Sequence, residues 1–497
     1  MSKFHRAIFV LTHLISAIHG VTPGLSTCGC DIGESCDTVT CQDDPDRQCK
    51  QDGQVATSWS CVGSLFSKHC TPMGCSAPHS CDGVSGQCKQ DPSSKISKGT
   101  CETQCVPRPE GAKPVVIVPG IVGSNIQAKL NKPSVVQPLC SKTSDWYYAW
   151  LESFEVAPDA VKCLFDNLKL KHLGEGNVTN NDGVTTRIAD YGGIGDIRCA
   201  MPKTATACNT TVNWGYALDQ LQAAGYSPGV NLFGAPYDFR YGPKSWFRKE
   251  FPQLKALIEK AYTTNNDTKV VITSISLGGP YFHLFLTHFV DPAWKQKYVD
   301  SWVSMSSLWN GATQVAQMLT AGLGWDGISW IKPQVFREGV RNWPAMIFML
   351  PFPYDDVNGT HVDDTYITSS KRSYKASDMQ SAVLDAGLPD TAAILKSISQ
   401  YRTSTSPPGV KTYCWFGKGI KTAKTLSFSG TDLSDFDAMT VQMSDGDGTV
   451  EHSSLRICND WGGDTVVKTW FNVSHTGMLT EPSVVSDLVA IATGSAH

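Results

Sequence analysis

From Lys113 onward, short apolar runs alternate with stretches of helical spacing, and few folds can accommodate that pattern. The run Lys113-Pro114-Val115-Val116-Ile117-Val118-Pro119 is apolar on both sides of its strand and ends in Pro-Gly. Such a strand needs cover on both faces, which is the situation of a parallel strand between two helical layers. Residues 230–235, 269–273 and 298–305 read as further strands. Between them, residues 214–224 carry Ala217, Leu218 and Leu221 at helical spacing, with Gly225 placed as a C-cap. Residues 251–262 are helical. The stretch from Leu277 sets Phe282, Phe285 and Leu286 on one helical face. Strands alternating with helices predict an α/β domain built on a mostly parallel sheet. No internal repeat or low-complexity block interrupts it.

The composition before residue 107 is different. Of 18 cysteines, twelve fall here: Cys28, Cys30, Cys36, Cys41, Cys49, Cys61, Cys70, Cys75, Cys81, Cys88, Cys101 and Cys105. They stand among Asp, Ser, Gly and Gln with almost no periodic apolar pattern. A segment of this kind builds no real core and needs cross-links to hold a shape. Zinc is the competing use of so many cysteines, but only His69 and His79 accompany them and no C-x-x-C pairs appear. Disulfides in an oxidising compartment are therefore expected. Lys3, His5 and Arg6 followed by the apolar run from Ala7 to Ile18 predict a secretory signal over residues 1–20, too short and interrupted for a membrane span. The expected organisation is thus a signal peptide (1–20), a disulfide-rich domain (21–106), a linker (107–112) and the α/β domain (113–497). Asn177, Asn209, Asn266, Asn358 and Asn472 each head an N-x-S/T sequon, which suits export. The net charge of -4 offers nothing to a nucleic acid.

Three polar residues stand at the ends of predicted strands. Ser276 closes an apolar strand and opens a helix among small neighbours, the setting of a nucleophile elbow. The usual pattern is G-x-S-x-G; here Ser274 takes the first position. Asp447 lies in the Gly-rich turn after a strand over 438–443, with Asp445 as its close rival for the role of the acid. A D-x-D-G start also suggests a calcium loop, but Ile457 occupies the position where an EF-hand needs Glu. His475 follows the β-rich run 465–473. Ser, then Asp, then His is the chain order of the α/β-hydrolase triad. Its oxyanion hole needs two backbone N–H groups. One is expected from Leu277, next to the nucleophile, and the other from Ile121 in the loop Pro119-Gly120-Ile121-Val122-Gly123-Ser124.

Longer motifs narrow the field. Val116-Ile117-Val118-Pro119-Gly120 is followed by Gln127-Ala128-Lys129-Leu130 and Lys132-Pro133. Gly234-Ala235-Pro236-Tyr237-Asp238-Phe239-Arg240 and Asp445-Gly446-Asp447-Gly448-Thr449-Val450 come later. Together they resemble the lecithin:cholesterol acyltransferase and lysosomal phospholipase A family from Lys113 to near the C-terminus. The resemblance implies an α/β-hydrolase with cap and lid or membrane-binding insertions. It implies disulfides Cys140–Cys163, closing a lid at about 140–163, and Cys414–Cys458, which leaves Cys199 to pair with Cys208. It places membrane contact on Trp146, Tyr147, Tyr148, Trp150, Leu151 and Phe154. The chain departs from the family at Ile275, where a His is usual, and at Leu308-Trp309-Asn310-Gly311, where P-W-G-G is usual. A third departure is Ile121, where Asp or Cys is common.

The expectation is an enzyme that needs no metal or cofactor. It would take an acyl chain from a glycerophospholipid through a Ser276 acyl-enzyme and pass it to a lipid alcohol, such as a sterol or ceramide, or to water. It would work at a peripheral membrane or lipoprotein surface, outside the cell or in the lysosomal lumen. The alternative, favoured only by Ser274, is a catalytically inactive lipid-binding protein on the same fold.

Overall fold

The computed structural model describes residues 110–150, 160–200, 213–323, 332–356, 358–402 and 406–495, with short strands between Lys50 and Gln90. The chain divides into two compact units, Met1–Cys81 with Cys88–Gln104 and Asp82–Gln87 with Cys105–His497. In the smaller unit, Trp59–Ser64 pairs antiparallel with Ser67–Pro72. The expected signal segment and the pairing of the twelve cysteines lie outside the described residues.

Six parallel strands organise the larger unit: β1 (Val115–Val118), β2 (Leu232–Gly234), β3 (Val270–Ile275), β4 (Val299–Met305), β5 (Thr412–Lys418) and β6 (Thr465–Phe471). Their spatial order is β2-β1-β3-β4-β5-β6. The helices used below are α1 (Val161–Leu168), α2 (Gly215–Ala223), α3 (Phe251–Thr263), α4 (Gly278–His288), α5 (Thr313–Thr320), α6 (Pro333–Val340) and α7 (Pro482–Thr493). Among the described residues, no helix is long and apolar enough to cross a membrane.

Except at the edge strand β6, the sheet is buried on both faces, as its apolar strands require. Val116, Val118, Phe233 and Ile272 pack with α3 and α4 in one core. Val115, Ile117, Leu232, Val271 and Val303 pack with α2 and α7 in the other. Each fully buried Val or Ile contributes about 1.5–3 kcal/mol, so a polar residue anywhere in β1 would cost one of the two cores. Gly225 follows α2 at φ 91, the left-handed position that closes a helix and suits glycine. The parallel, doubly covered sheet is the one expected from the strand and helix pattern.

Two of the smaller sheets flank the site. Thr143–Trp150, Ile126–Asn131 and Val184–Arg187 form an antiparallel sheet in that order. Beyond β5, Ser373–Lys375, Thr365–Thr368, Ile420–Phe428 and Met439–Gly446 form a four-stranded sheet. The strand before Asp447 therefore belongs to this side sheet and pairs antiparallel with Ile420–Phe428.

One expectation is corrected here. Trp150 was placed at the membrane interface, but it is 4% exposed and packs edge-on against Phe239 with ring centroids 5.7 Å apart. Its indole N–H donates to the carbonyl of Val122 at 2.9 Å. A large ring with a satisfied N–H in a packed core has no reason to face lipid. Earlier on the same strand, Trp146, Tyr147 and Tyr148 are half-buried. Arg187 lies 4.2 Å from the Trp146 ring, and Asn167 donates to the Tyr147 hydroxyl at 2.9 Å. Leu151 and Phe154 lie outside the described residues. Disulfides join Cys140 to Cys163 and Cys414 to Cys458. Cys199 is also disulfide-bonded, and Cys208 lies outside the described residues. Of the sequon asparagines, Asn177, Asn266, Asn358 and Asn472 are exposed, and Asn209 lies outside the described residues.

Candidate active site

Ser276 sits in the turn between β3 and α4 with φ 57, a conformation few L-residues adopt. That strain is the mark of an elbow that turns a strand sharply into a helix. Its N–H donates to Met305 O on β4 at 3.0 Å, and Gly279 N–H donates back to Ser276 O at 2.9 Å. The turn tolerates almost no bulk. A Cβ on Gly278 would lie 2.7 Å from the carbonyl oxygens of Val118 and Pro119, and one on Gly279 would lie 1.8 Å from Ser307 Oγ. Ser274, the departure from the usual elbow pattern, is fully buried, and its hydroxyl accepts the Trp302 indole N–H at 2.9 Å. The position thus holds a small polar residue with a partner on the neighbouring strand. The inactive alternative loses the only observation that favoured it.

The loop after β1 packs onto the nucleophile. A Cβ on Gly120 would lie 2.9 Å from Ser276 Cβ and 3.5 Å from its Oγ. Ile121 occupies the tight turn that Gly123 N–H closes onto Gly120 O at 3.2 Å. The amides of Ile121 and Leu277 have no protein acceptor among the described residues. The Pro236-Tyr237-Asp238 run holds this loop in place. Tyr237 donates its hydroxyl to Pro119 O at 3.2 Å and its N–H to Ser124 Oγ at 3.1 Å, and its ring stacks on Tyr281 of α4 at 4.5 Å. Trp150 braces the same loop through Val122.

Asp447 and His475 meet directly. His475 Nδ1 lies 2.8 Å from Asp447 Oδ2, and His475 N–H donates to Asp447 O at 2.8 Å. Asp447 is fully buried, and its second oxygen accepts the N–H groups of Thr449 and Val450 at 3.0 and 2.8 Å. A carboxylate occupied in this way fixes the imidazole tautomer with Nε2 free. Asp445, the rival acid, is exposed and accepts the Gly419 N–H at 2.7 Å instead. No hydrogen bond joins Ser276 Oγ to His475 among the described residues, and such bonds are often long before substrate arrives.

Two buried groups near the site were given no role in the sequence reading. Arg240 is completely buried and grips Asp238 through Nε at 2.8 Å and a second nitrogen at 2.6 Å. It also donates to Leu168 O, Asn180 Oδ1 and Thr186 Oγ1. Burial alone would raise the Asp238 carboxyl, but the Arg240 charge and its hydrogen bonds hold it below the ordinary range. Glu451, next to the Asp447 turn, is the second; burial pushes its carboxyl up to about 7. Burial of neither shows in a linear reading: Arg240 reaches from Asp238, two residues away, to Leu168, 72 residues away, and Glu451 meets Thr313 across 138 residues.

The lecithin:cholesterol acyltransferase family model matches residues 147–401 and 375–481. Bos taurus "Lysosomal phospholipase A and acyltransferase" is 28% identical over 393 residues, 78% of this chain and 93% of that one. The Rattus norvegicus protein of the same name is 30% identical over 350 residues, covering 70% and 81%. Gallus gallus "Phosphatidylcholine-sterol acyltransferase" is 29% identical over 366 residues, covering 71% and 83%. The elbow, the Asp447–His475 pair and these matches over most of the α/β unit agree: the chain belongs to the lecithin:cholesterol acyltransferase family.

Proposed function

We propose that this enzyme transfers a fatty acyl group from a glycerophospholipid through a covalent intermediate on Ser276. Ser276 Oγ attacks the ester carbonyl while His475 Nε2 takes its proton, and Asp447 stabilises the imidazolium. The N–H groups of Ile121 and Leu277 receive the oxyanion. The carbonyl re-forms, the bond to the lysolipid oxygen breaks, and His475 protonates that leaving oxygen. A second nucleophile, either a lipid alcohol or water, then gives its proton to His475, attacks the acyl-enzyme and frees Ser276. The observation that carries this proposal is the 2.8 Å bond between His475 and a fully buried Asp447. His475 follows the carboxyl end of β6, the same end of the central sheet as Ser276, and Asp447 follows a strand of the side sheet.

The same proposal includes work at a lipid surface, with contact through the half-buried Trp146, Tyr147 and Tyr148 and the segment that follows. It includes passage through the secretory pathway, in line with the disulfides in the larger unit and the four exposed sequons.

A fluorophosphonate probe should label the wild-type protein at Ser276 and leave Ser276→Ala unlabelled. Labelling that survives the substitution would sink the mechanism. Phosphatidylcholine liposomes containing cholesterol or a ceramide, incubated at neutral and acid pH, then separate the acceptors. An acylated alcohol among the products establishes transfer, free fatty acid alone restricts the enzyme to hydrolysis, and no acyl release rejects both.

A further inference from the structure

Glu451 closes the Asp447 turn. Gly446 and Glu451 are bridged antiparallel, and Asp447 N–H donates to Val450 O at 3.2 Å. The side chain, 3% exposed, reaches to the N-terminus of α5. There its Oε1 accepts the Thr313 N–H at 2.9 Å, an end that no side chain of the helix's own N-cap satisfies. The Thr313 hydroxyl lies within hydrogen-bonding reach of the same Oε1 and, at 2.9 Å, of the carbonyl oxygen of Lys424.

That hydroxyl has one proton and two acceptors facing it if Glu451 is ionised. A carbonyl can only accept, so both contacts are satisfied together only when Glu451 brings a proton of its own. The chain then runs from the Glu451 carboxyl to Thr313 Oγ1 to Lys424 O. The other oxygen, Oε2, is buried with no partner among the described residues, which also disfavours the charge.

We infer that Glu451 is a positioning residue for the Asp447–His475 pair: neutral, it fastens the Asp447 turn to α5, and on ionising it adds a second negative charge beside that pair. The groups facing it are few. Asp447 comes from its own turn, Tyr366 from the strand Thr365–Thr368, Thr313 from α5, and only the backbone of Lys424 from Ile420–Phe428. Beyond burial, Asp447 acts against ionisation of Glu451, and Tyr366 is raised by burial first and by Glu451 second. When Glu451 ionises, the Thr313 amide still holds it, so the turn stays fastened and the added charge favours the imidazolium that forms during acyl transfer.

The inference rests on the triad proposed above, so labelling of Ser276 is checked first; wild type that fails to label overturns the triad itself. On a soluble ester such as p-nitrophenyl butyrate, kcat is then followed from pH 5 to 9. Glu451→Gln keeps an acceptor for the Thr313 amide and cannot ionise. The ratio of wild-type to variant kcat should stay near one at pH 5 and climb about threefold to tenfold above pH 8, the effect of one partly screened charge, with KM unchanged. Thr313→Val removes the hydroxyl that Glu451 shares with Lys424 O, so the step in the wild-type profile should shift away from its wild-type pH. A ratio flat across the range, or a step in Thr313→Val at the wild-type position, overturns the role of Glu451. If Glu451→Gln does not take the probe, the Thr313→Val step decides alone.

Discussion

Asp445 and Asp447 stand two positions apart in one motif, and their surroundings assign them different tasks. Asp447 is sealed from water and bonded to His475, whereas Asp445 faces solvent and ties down one backbone amide. Asp447→Asn should therefore lower kcat by about 10⁴ through loss of the correct imidazole tautomer, while Asp445→Asn should leave kcat nearly unchanged. Steady-state kinetics on a soluble ester distinguish them, and equal losses would reassign the acid. Ser276, Asp447 and His475 were legible because each sits in a short motif at a strand end. Choosing between the two aspartates was not, since exposure is a property of the folded turn. Ser274 read as a flaw in the elbow for the same reason: its partner, Trp302, is 28 residues away on the next strand. Trp150 read as an interfacial ring because an aromatic cluster looks alike whether it faces lipid or a core.

Among the elements, the run from Pro236 to Arg240 does two jobs at once. Tyr237 steadies the loop that carries Ile121, and the Asp238–Arg240 pair fastens the segments around Leu168, Asn180 and Thr186 to the sheet. Removing one partner leaves a buried charge without compensation. Arg240→Met should cost about 3–5 kcal/mol of stability, seen as a lowered midpoint in urea, whereas the double substitution with Asp238→Asn should recover part of that loss. Equal midpoints for single and double variants would argue against the pairing as the cause. Five of the six central strands, β1–β4 and β6, and the helices α2–α4 were legible from their apolar residues, whereas β5 was not read. Of the four-stranded side sheet, only the strand before Asp447 was legible. Ile420–Phe428 carries a bulge between Ala423 and Thr425, and its buried positions follow no regular alternation. A bulge shifts side chains from one face to the other and erases the two-residue period that marks a strand.

At the scale of the whole molecule, Glu451 links stability to pH. Its ordinary value is 4.5, and burial pushes it up to about 7 in the folded protein. Between those limits the folded state holds a proton that the unfolded chain has released, so stability falls as pH rises through this window and levels off above it. The full penalty is at most about 3 kcal/mol. Glu451→Gln escapes it. The difference in Tm between variant and wild type should be small near pH 4.5, widen up to about pH 7 and then stay constant. A difference independent of pH would mean that Glu451 is ionised throughout.

The two cores meet the site unequally. β3 contributes Val270 and Ile272 to one face and Val271 and Ile275 to the other, so Ser276 stands on a strand clamped from both sides at the middle of the sheet. β6, which leads to His475, is the outermost strand, and Val466, Val467 and Phe471 on it face solvent. The triad therefore joins a nucleophile covered on both faces of its strand to a base that follows a half-bare edge strand, and the two hydrogen bonds from His475 to Asp447 are what hold that base in register.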